Sequence, residues 1–297
     1  RLHVSKFSRG EALPEPPRLT YQAYNNAYVD ADTGIKASPR WQGVRRYWVD
    51  RIPRLPPAPT VPRTAEDPAR NPGTFSHYGN EPLPKERVTV LKQLCQRYRL
   101  TPTSVLLAIY GVSLYTCMNR SDMLINVLHC LRHNVHEDFE RVMGNFSSSF
   151  MCPLDVAMGD SDDAGLSFTT LLELARRAQA SLAEAQSHNT VSGVDIMQEI
   201  NLYTGQSGEA VAPFIFVSAM GLEGAEGLDG GSWKHLAFTE KRVTESTSGT
   251  IMVHAIKEYP SGELYHGFNV IDGALSVRHV ELIVETQERL LLYLADA

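Results

Sequence analysis

The sequence TPTSVLLAIYGVSLYTCMNRSDMLINVLHCL occupies residues 101–131 and contains a helix signal followed directly by a strand signal. Thr101 can cap a helix, and Pro102 suits the first helical turn, where a backbone N–H is not needed. The run from Val105 to Cys117 is apolar almost all round, which indicates a helix buried on most sides. Residues 123–131 are rich in β-forming side chains and predict a strand. A buried helix beside a strand is typical of a layered α/β domain.

Similar signals extend along the chain on both sides of this segment. Apolar spacing predicts further helices over about 39–52, 84–98, 166–187, 191–202 and 276–294. Apolar runs of strand length predict strands over 146–154 and 213–218, and a hairpin over 250–258 and 263–270. Residues 1–80 otherwise look irregular, with proline-rich stretches at 13–17 and 55–62 and a polar surface segment at 65–79. The element order predicts an α/β fold with a mixed β-sheet flanked by helices.

The composition is that of an ordinary globular protein. The 297 residues include 43% hydrophobic and 21% charged side chains, which excludes wholesale disorder. The net charge of −6 gives no reason to expect nucleic acid or an anionic membrane as a partner. The longest apolar stretch, Val105 to Leu114, is shorter than a bilayer span. The four cysteines form neither a disulfide framework nor a CxxC zinc motif, so we expect a cytoplasmic protein.

Four motifs follow one another in a fixed order. They are YWVDRIPRLPPAP at 47–59, LTPTSVLLA at 100–108, the segment from LINV at 124–127 to GNFSS at 144–148, and PFIFVS at 213–218. In order and spacing they resemble the condensation-type domains of nonribosomal peptide synthetases, most closely the heterocyclization branch, over roughly residues 11–295. The resemblance implies a chloramphenicol-acetyltransferase-like lobe.

The resemblance also implies how the chain is divided. Condensation-type domains pair two such lobes, and this chain resembles the C-terminal lobe alone. We expect an inter-lobe linker with a short amphipathic helix at 1–62 and the C-terminal lobe at 63–297. The N-terminal lobe, which carries an HHxxxDG or DxxxxD signature in the family, would lie upstream. Asp155 to Asp160 spells DxxxxD, but we interpret it as a chance match on an acidic turn.

Two positions depart from the heterocyclization pattern. Val217 stands where that branch has a threonine, and Val253 falls approximately where it has an aspartate. A hydroxyl and a carboxylate can move protons during ring closure, whereas two isopropyl groups cannot. We therefore expect cyclization to be lost. A shift in the alignment would instead give the role to Thr250 or His254.

The function implied by the resemblance is amide bond formation between substrates held as thioesters on carrier proteins, once an N-terminal lobe completes the acyltransferase. No metal or cofactor is expected of this chain, because phosphopantetheine belongs to the carrier-protein partner. The expected partners are the carrier proteins and the N-terminal lobe. The catalytic candidates are Asn145, Ser147, Ser218, Thr250 and His254. The substrate-binding candidates are Asn126, Ser148, Val217 and Val253.

Other interpretations remain open at this point. The chain could be a non-catalytic docking module or a free-standing acyltransferase that uses a soluble thioester. Residues 129–136 contain three histidines and Cys130, but His129 and Cys130 would face opposite sides of a strand, which disfavours a metal site. The glycine-rich segment 221–231 is acidic, so it is either a lid or a plain surface loop. The two arginine pairs at 45–46 and 176–177 could bind an acidic carrier protein, or they could simply lie on solvated helix faces.

Overall fold

The computed structural model describes residues 10, 12, 15–64, 75–79, 81–158, 166–205, 211–220, 249–259 and 261–296. Six strands in these ranges form one mixed sheet in the order β1-β6-β5-β4-β2-β3. The strands β2, β4 and β5 are parallel to one another, and β3 and β6 run against their neighbours. Their bounds are β1 Phe75–Tyr78, β2 Asp122–Cys130, β3 Ser147–Asp155, β4 Phe214–Ala219, β5 Met252–Glu258 and β6 Leu264–Ile271.

Seven α-helices accompany the sheet in the described ranges. They are α1 Tyr21–Val29, α2 Pro39–Arg51, α3 Lys85–Tyr98, α4 Pro102–Tyr115, α5 Phe168–Ser187, α6 Gly193–Thr204 and α7 Val277–Ala295. Six of them begin at a serine or threonine whose hydroxyl accepts a hydrogen bond from a backbone N–H in the first turn, an interaction that is typically worth about 1 kcal/mol. These caps are Thr20, Ser38, Thr101, Ser167, Ser192 and Ser276. None of the described helices is both long and apolar enough to cross a lipid bilayer.

Helix α4 lies at the centre of the core, where it contacts both α5 and α7, and α5 also packs directly on β3. Every residue from Ser104 to Leu114 is buried. Gly111 allows α4 to pack closely against β3, because a Cβ atom at this position would lie 2.5 Å from Leu154 Cδ2. Helix α6 packs against β3 from the opposite side of the sheet, where a Cβ atom at Gly193 would lie 2.4 Å from Ser149 Oγ. Within the described ranges, one face of the sheet is therefore covered by α4 and its neighbouring helices, and the other is covered only in part, by α6.

The segment before residue 63 is joined to the rest of the described chain by apolar and polar contacts. Trp41 and Trp48 are buried in the same core cluster as the sheet residues. The Trp48 indole N–H donates to the His188 carbonyl at 3.0 Å. Lys36 pairs with Asp195 at 2.6 Å. The division into a linker at 1–62 and a lobe at 63–297 remains a prediction.

The predicted α/β fold class is confirmed, because the structure has a mixed six-stranded sheet flanked by helices. Two elements contradict the expectation of an irregular start. Helix α1 lies in a stretch that we had interpreted as irregular, and strand β1 lies in the supposed surface segment 65–79. Strand β1 has only four residues, and its pairing with β6, far along the chain, makes it a strand. Helix α1 is held by aromatic contacts of Tyr21 and Tyr24 with Phe146.

Candidate functional site

One face of the sheet lies opposite α4, and we call it the far face. Side chains alternate along a strand, and residues paired in register point to the same side of the sheet. His254 and Phe216 are in register, and both stack with Tyr110 of α4. Their neighbours along the strands therefore form the far face. Val217 and Val253 belong to it, and both are half-buried.

The register arranges the far face in three rows across the sheet. Strands β2, β4, β5, β6 and β1 supply the first row, which is Asn126, Ile215, Val253, Asn269 and His77. The second row is Leu128, Val217, Ala255 and Gly267. The third row is Ala219, Lys257 and Tyr265. The centre of this face is therefore apolar, and its polar side chains stand at the margins.

The structure separates the predicted site residues into two groups. Asn126, Ser147, Val217 and Val253 lie on the far face. Ser148, Ser218 and His254 point to the α4 side, and Ser218 Oγ lies 3.1 Å from Thr103 Oγ1 of α4. Because the sheet lies between the two groups, they do not meet at one site.

Two predicted residues lie at opposite ends of the strands. Thr250 is buried just before the start of β5. Asn145 is exposed before β3, where its Oδ1 accepts a hydrogen bond from the Ser147 N–H at 2.9 Å. The start of β3 adjoins the carboxyl end of β2, whereas Thr250 adjoins the amino ends of β4 and β5. The two side chains are thus separated by the length of the sheet.

Val217 and Val253 are close neighbours despite belonging to different rows. Val217 pairs with Ala255, and Val253 pairs with Ile215, so the two valines are diagonal across adjacent parallel strands. Strand spacing and rise put their Cα atoms about 8 Å apart. Ala255, directly opposite Val217, is also apolar. An alignment shift of two residues on β5 would therefore exchange one apolar far-face residue for another.

Asn126 is the polar side chain that β2 contributes to the first row of the far face. Its exposed fraction is 7%, and its Oδ1 has no hydrogen-bond partner among the described residues. An unpaired buried amide oxygen is unfavourable by about 1–3 kcal/mol, so such an atom is suited to accept a hydrogen bond from a ligand. Asn126 pairs with Ile215, which pairs with Val253. Two strand spacings, about 10 Å, therefore separate Asn126 from Val253.

A hydrogen-bonded group that the sequence did not reveal lies at the β6 margin. His77 Nδ1 is 3.0 Å from Asn269 Oδ1, and the Tyr265 hydroxyl is 3.2 Å from His77 Nε2. We call these three residues the His77 cluster. The only sequence signal was the pair of neighbouring aromatic residues at 77–78, in a segment too short to show strand periodicity.

His254 is fully buried on the α4 side. Its ring lies among Tyr110, Phe216 and Phe268, and neither ring nitrogen has a hydrogen-bond partner within the described ranges. Burial, with a further contribution from His266, lowers the pKa of His254 well below its usual value. The imidazole is therefore neutral at pH 7. It is a core side chain that has no contact with the far face.

The other candidate features of the sequence have structural explanations where they are described. His129 and Cys130 do point to opposite sides of β2, and no cluster of three or more metal-ligating side chains occurs in the described part of the chain. Arg132 donates to the carbonyls of Phe139 and Val142 at 2.9 Å each and stacks on the Phe146 ring.

Two further features concern charge and the acidic loops. Arg45 and Arg177 are paired with Glu199 and Asp155, respectively. The glycine-rich segment 221–231 and Asp160 lie outside the described residues.

Comparison with known proteins identifies the class. The sequence model of the family described as "Condensation domain" matches residues 5–223, so the chain belongs to the condensation-domain family. It is 29% identical over 221 residues to phenyloxazoline synthase MbtB from Mycobacterium sp. (strain MCS), covering 74% of this chain and 17% of that protein. It is 28% identical over 204 residues to bacitracin synthase 1 from Bacillus licheniformis, covering 69% of this chain and 4% of that protein. The chain thus spans less than a fifth of either relative.

Solved structures agree with this assignment at the level of the fold. The cyclization-docking bidomain of the EpoB nonribosomal peptide synthetase from Sorangium cellulosum superposes with a TM-score of 0.74 at 23% identity, covering 99% of this chain and 55% of that chain. The PapA2 acyl transferase gives a TM-score of 0.67 at 13% identity, covering 100% of this chain and 60% of that chain. The resemblance to condensation domains of the heterocyclization type is confirmed.

Proposed function

We propose that this chain is the C-terminal lobe of a heterocyclization-like condensation domain and contributes one wall of the site where an amide bond forms. The supporting observation is the far face, an accessible sheet surface with an apolar centre, polar margins and the unpaired Asn126 oxygen. Membership of the family supports the same conclusion. The solved EpoB chain is also matched over 55% of its length, as expected of one lobe out of two.

The proposed reaction joins two substrates that carrier proteins hold as thioesters. The amine of one attacks the thioester carbonyl carbon of the other, a C–N bond forms, the C–S bond breaks, and the thiol leaves. A protein accelerates such a step mainly by holding the two groups in reacting geometry and by stabilising developing charge. The phosphopantetheine arms belong to the carriers.

Asn126 and Ser147 are the predicted polar residues best placed to position substrate, because both lie on the far face. The Asn126 amide can accept a hydrogen bond from a substrate N–H and donate one to a carbonyl. Asn145 supports Ser147 by accepting its backbone N–H.

We further propose that this lobe does not support ring closure. On the far face of β4 and β5 the residues are Ile215, Val217, Ala219, Val253, Ala255 and Lys257. None of these side chains carries a hydroxyl or a carboxylate, and Ser218 and His254 point the other way. Cyclodehydration must add and remove protons, so amide formation without cyclization is the expected outcome.

The experiment combines the chain with an N-terminal lobe of a heterocyclization domain and with two loaded carrier proteins, and follows the products by mass spectrometry. A linear amide that forms only when the N-terminal lobe is present would support the proposal. Amide formation by this chain alone would contradict it and favour a free-standing acyltransferase. Carrier binding without any product in the complete mixture would favour a docking module.

A second experiment tests the loss of cyclization. The double variant Val217→Thr with Val253→Asp restores a hydroxyl and a carboxylate about 8 Å apart at the Cα atoms. With a cysteine or serine acceptor, we expect a product lighter by one water. The matched control is Val253→Asn with Val217 retained, which has nearly the same shape but lacks both the hydroxyl and the carboxylate and should give no ring. A double variant that still yields only the linear amide would refute this account of the loss.

A further inference from the structure

The His77 cluster has the geometry of a base, a proton donor and an orienting group. Asn269 Oδ1 can only accept a hydrogen bond, so His77 Nδ1 must carry the proton at this contact. The other ring nitrogen, Nε2, is then the free acceptor, and the Tyr265 hydroxyl donates to it. The amide of Asn269 thus fixes the imidazole tautomer that can take a proton from the phenol.

Two glycines make room for this pair of rings. A Cβ atom at Gly267 would lie 2.6 Å from Tyr265 Oη and 2.8 Å from His77 Cε1. A Cβ atom at Gly79 would lie 3.2 Å from His77 Nε2. The tyrosine and histidine rings are nearly parallel, with an angle of 11° between their planes. The cluster therefore occupies a space that the backbone leaves free of side chains.

The cluster is also placed next to the centre of the far face. Gly267, beneath the Tyr265 hydroxyl, pairs with Ala255, which pairs with Val217. Two strand spacings, about 10 Å, separate Gly267 from Val217. Lys257 is the residue paired with Tyr265 across β5 and β6 on the same face. His77 is exposed, which leaves the cluster accessible.

We propose that Tyr265 and His77 act as the general base for the amine nucleophile of the condensation reaction, with Asn269 as a positioning residue. This inference rests on the proposed function. As the amine attacks the thioester carbonyl carbon, one amine proton passes to Tyr265 Oη while the phenol proton passes to His77 Nε2. The C–S bond then breaks, and the same proton returns through the phenol to the leaving sulfur. One C–N bond replaces one C–S bond, one thiol is released, and the cluster ends in its starting state.

The first test reads the tautomer without any substrate. Nitrogen-15 NMR of the full-length chain should show His77 with Nδ1 protonated and Nε2 unprotonated near pH 8. In Asn269→Ala, which removes the acceptor, we expect a mixture of tautomers. A wild-type His77 that is protonated on Nε2 would overturn the inference, whatever the catalytic result.

The second test uses the assay with the N-terminal lobe and loaded carriers. Tyr265→Phe and His77→Gln should each lower kcat by roughly 10²–10⁴-fold, the usual range for removing a general base. KM should change by no more than about threefold, because neither side chain is needed to bind the carriers. Asn269→Ala should lower kcat less, because the phenol and the imidazole both remain in place. Tyr259→Phe, the matched control on the adjacent tyrosine, should behave as the wild type.

The outcomes separate the two proposals. A wild-type assembly that forms amide, combined with a Tyr265→Phe variant of unchanged kcat and pH profile, would overturn the inference and leave the proposed function intact. A wild-type assembly that forms no amide would overturn the proposed function, and with it the role of Tyr265 and His77 as general base for the amine. Because all three side chains lie at the surface of the sheet, the variants should keep the wild-type unfolding midpoint. A Tyr265→Phe variant that has lost its fold is replaced by His77→Gln in the same comparison.

Discussion

Replacing His254 by leucine removes a proton-binding site that the unfolded chain uses at mildly acidic pH and the folded chain does not. In the folded protein the imidazole is fully buried, and its pKa is lowered well below 6.5 chiefly by that burial. In the unfolded chain its pKa returns to about 6.5. Below pH 6.5 the unfolded state therefore holds one proton more at this site, and stability falls as the pH falls.

The size of the effect follows from this difference of one proton. Below pH 6.5 the free energy of unfolding should fall by about 1.4 kcal/mol per pH unit through His254 alone. Between pH 7.5 and pH 5.5 the wild-type chain should therefore lose about 1.4 kcal/mol more than His254→Leu. Burial also lowers the pKa values of His129, His133 and His266, and these groups contribute equally to both proteins. The difference between the two pH profiles isolates His254.

The assay is urea unfolding at pH 5.5, 6.5 and 7.5, followed by tryptophan fluorescence. At pH 7.5 His254→Leu should be at least as stable as the wild type. The substitution removes from the core two ring nitrogens that have no hydrogen-bond partner among the described residues. The control Phe268→Leu disturbs the same packing without removing a titratable group, so it should lower stability at every pH by a similar amount. A His254→Leu variant that keeps the full wild-type pH dependence would refute the reasoning, since the ring would then be protonated equally in both states.

Three further substitutions have defined outcomes. Gly111→Ala should lower the free energy of unfolding by about 1–3 kcal/mol in urea, because the new Cβ would lie 2.5 Å from Leu154 Cδ2; unchanged stability would mean that α4 can move away from β3. Arg132→Lys should cost about 1–3 kcal/mol in the same assay, because lysine cannot bond both carbonyls while stacking on Phe146, and a neutral result would contradict that role. Gly267→Ala should cost less than about 1 kcal/mol but separate the rings of the His77 cluster, visible as a changed imidazole nitrogen shift by NMR.

Much of the fold was predictable because its signals are local. Strand β4 was predicted at 213–218 and observed at Phe214–Ala219, since an apolar run of that length can hardly be anything else. Helix α4 was predicted from Thr101 and Pro102, and the cap is formed as expected. Strand β1 was not predictable, because four residues carry too little periodicity and its partner strand β6 is distant in sequence, with 192 residues between His77 and Asn269.

The candidate site was less predictable, for a reason that lies in the strands themselves. Val217 and Ser218 are adjacent in one motif, yet alternation sends their side chains to opposite faces of the sheet. In a continuous apolar run, the sequence does not show which alternate side chains face α4, because both faces of a central strand are apolar. His254 looked like a site residue for the same reason. Only its stacking with Tyr110 of α4 places it in the core.

The distribution of polar groups over the far face bears directly on where proton transfer takes place. Motif resemblance directs attention to Val217 and Val253, at the centre of the sheet, where neither side chain can carry a proton. The structure instead places a hydrogen-bonded phenol and imidazole at the β6 margin, two strands from Val217. Amide formation requires one proton to leave an amine, whereas ring closure also requires an oxygen to leave as water. If the His77 cluster is the base that we propose, a lobe with this base at its margin and an apolar centre is suited to the first reaction and not to the second.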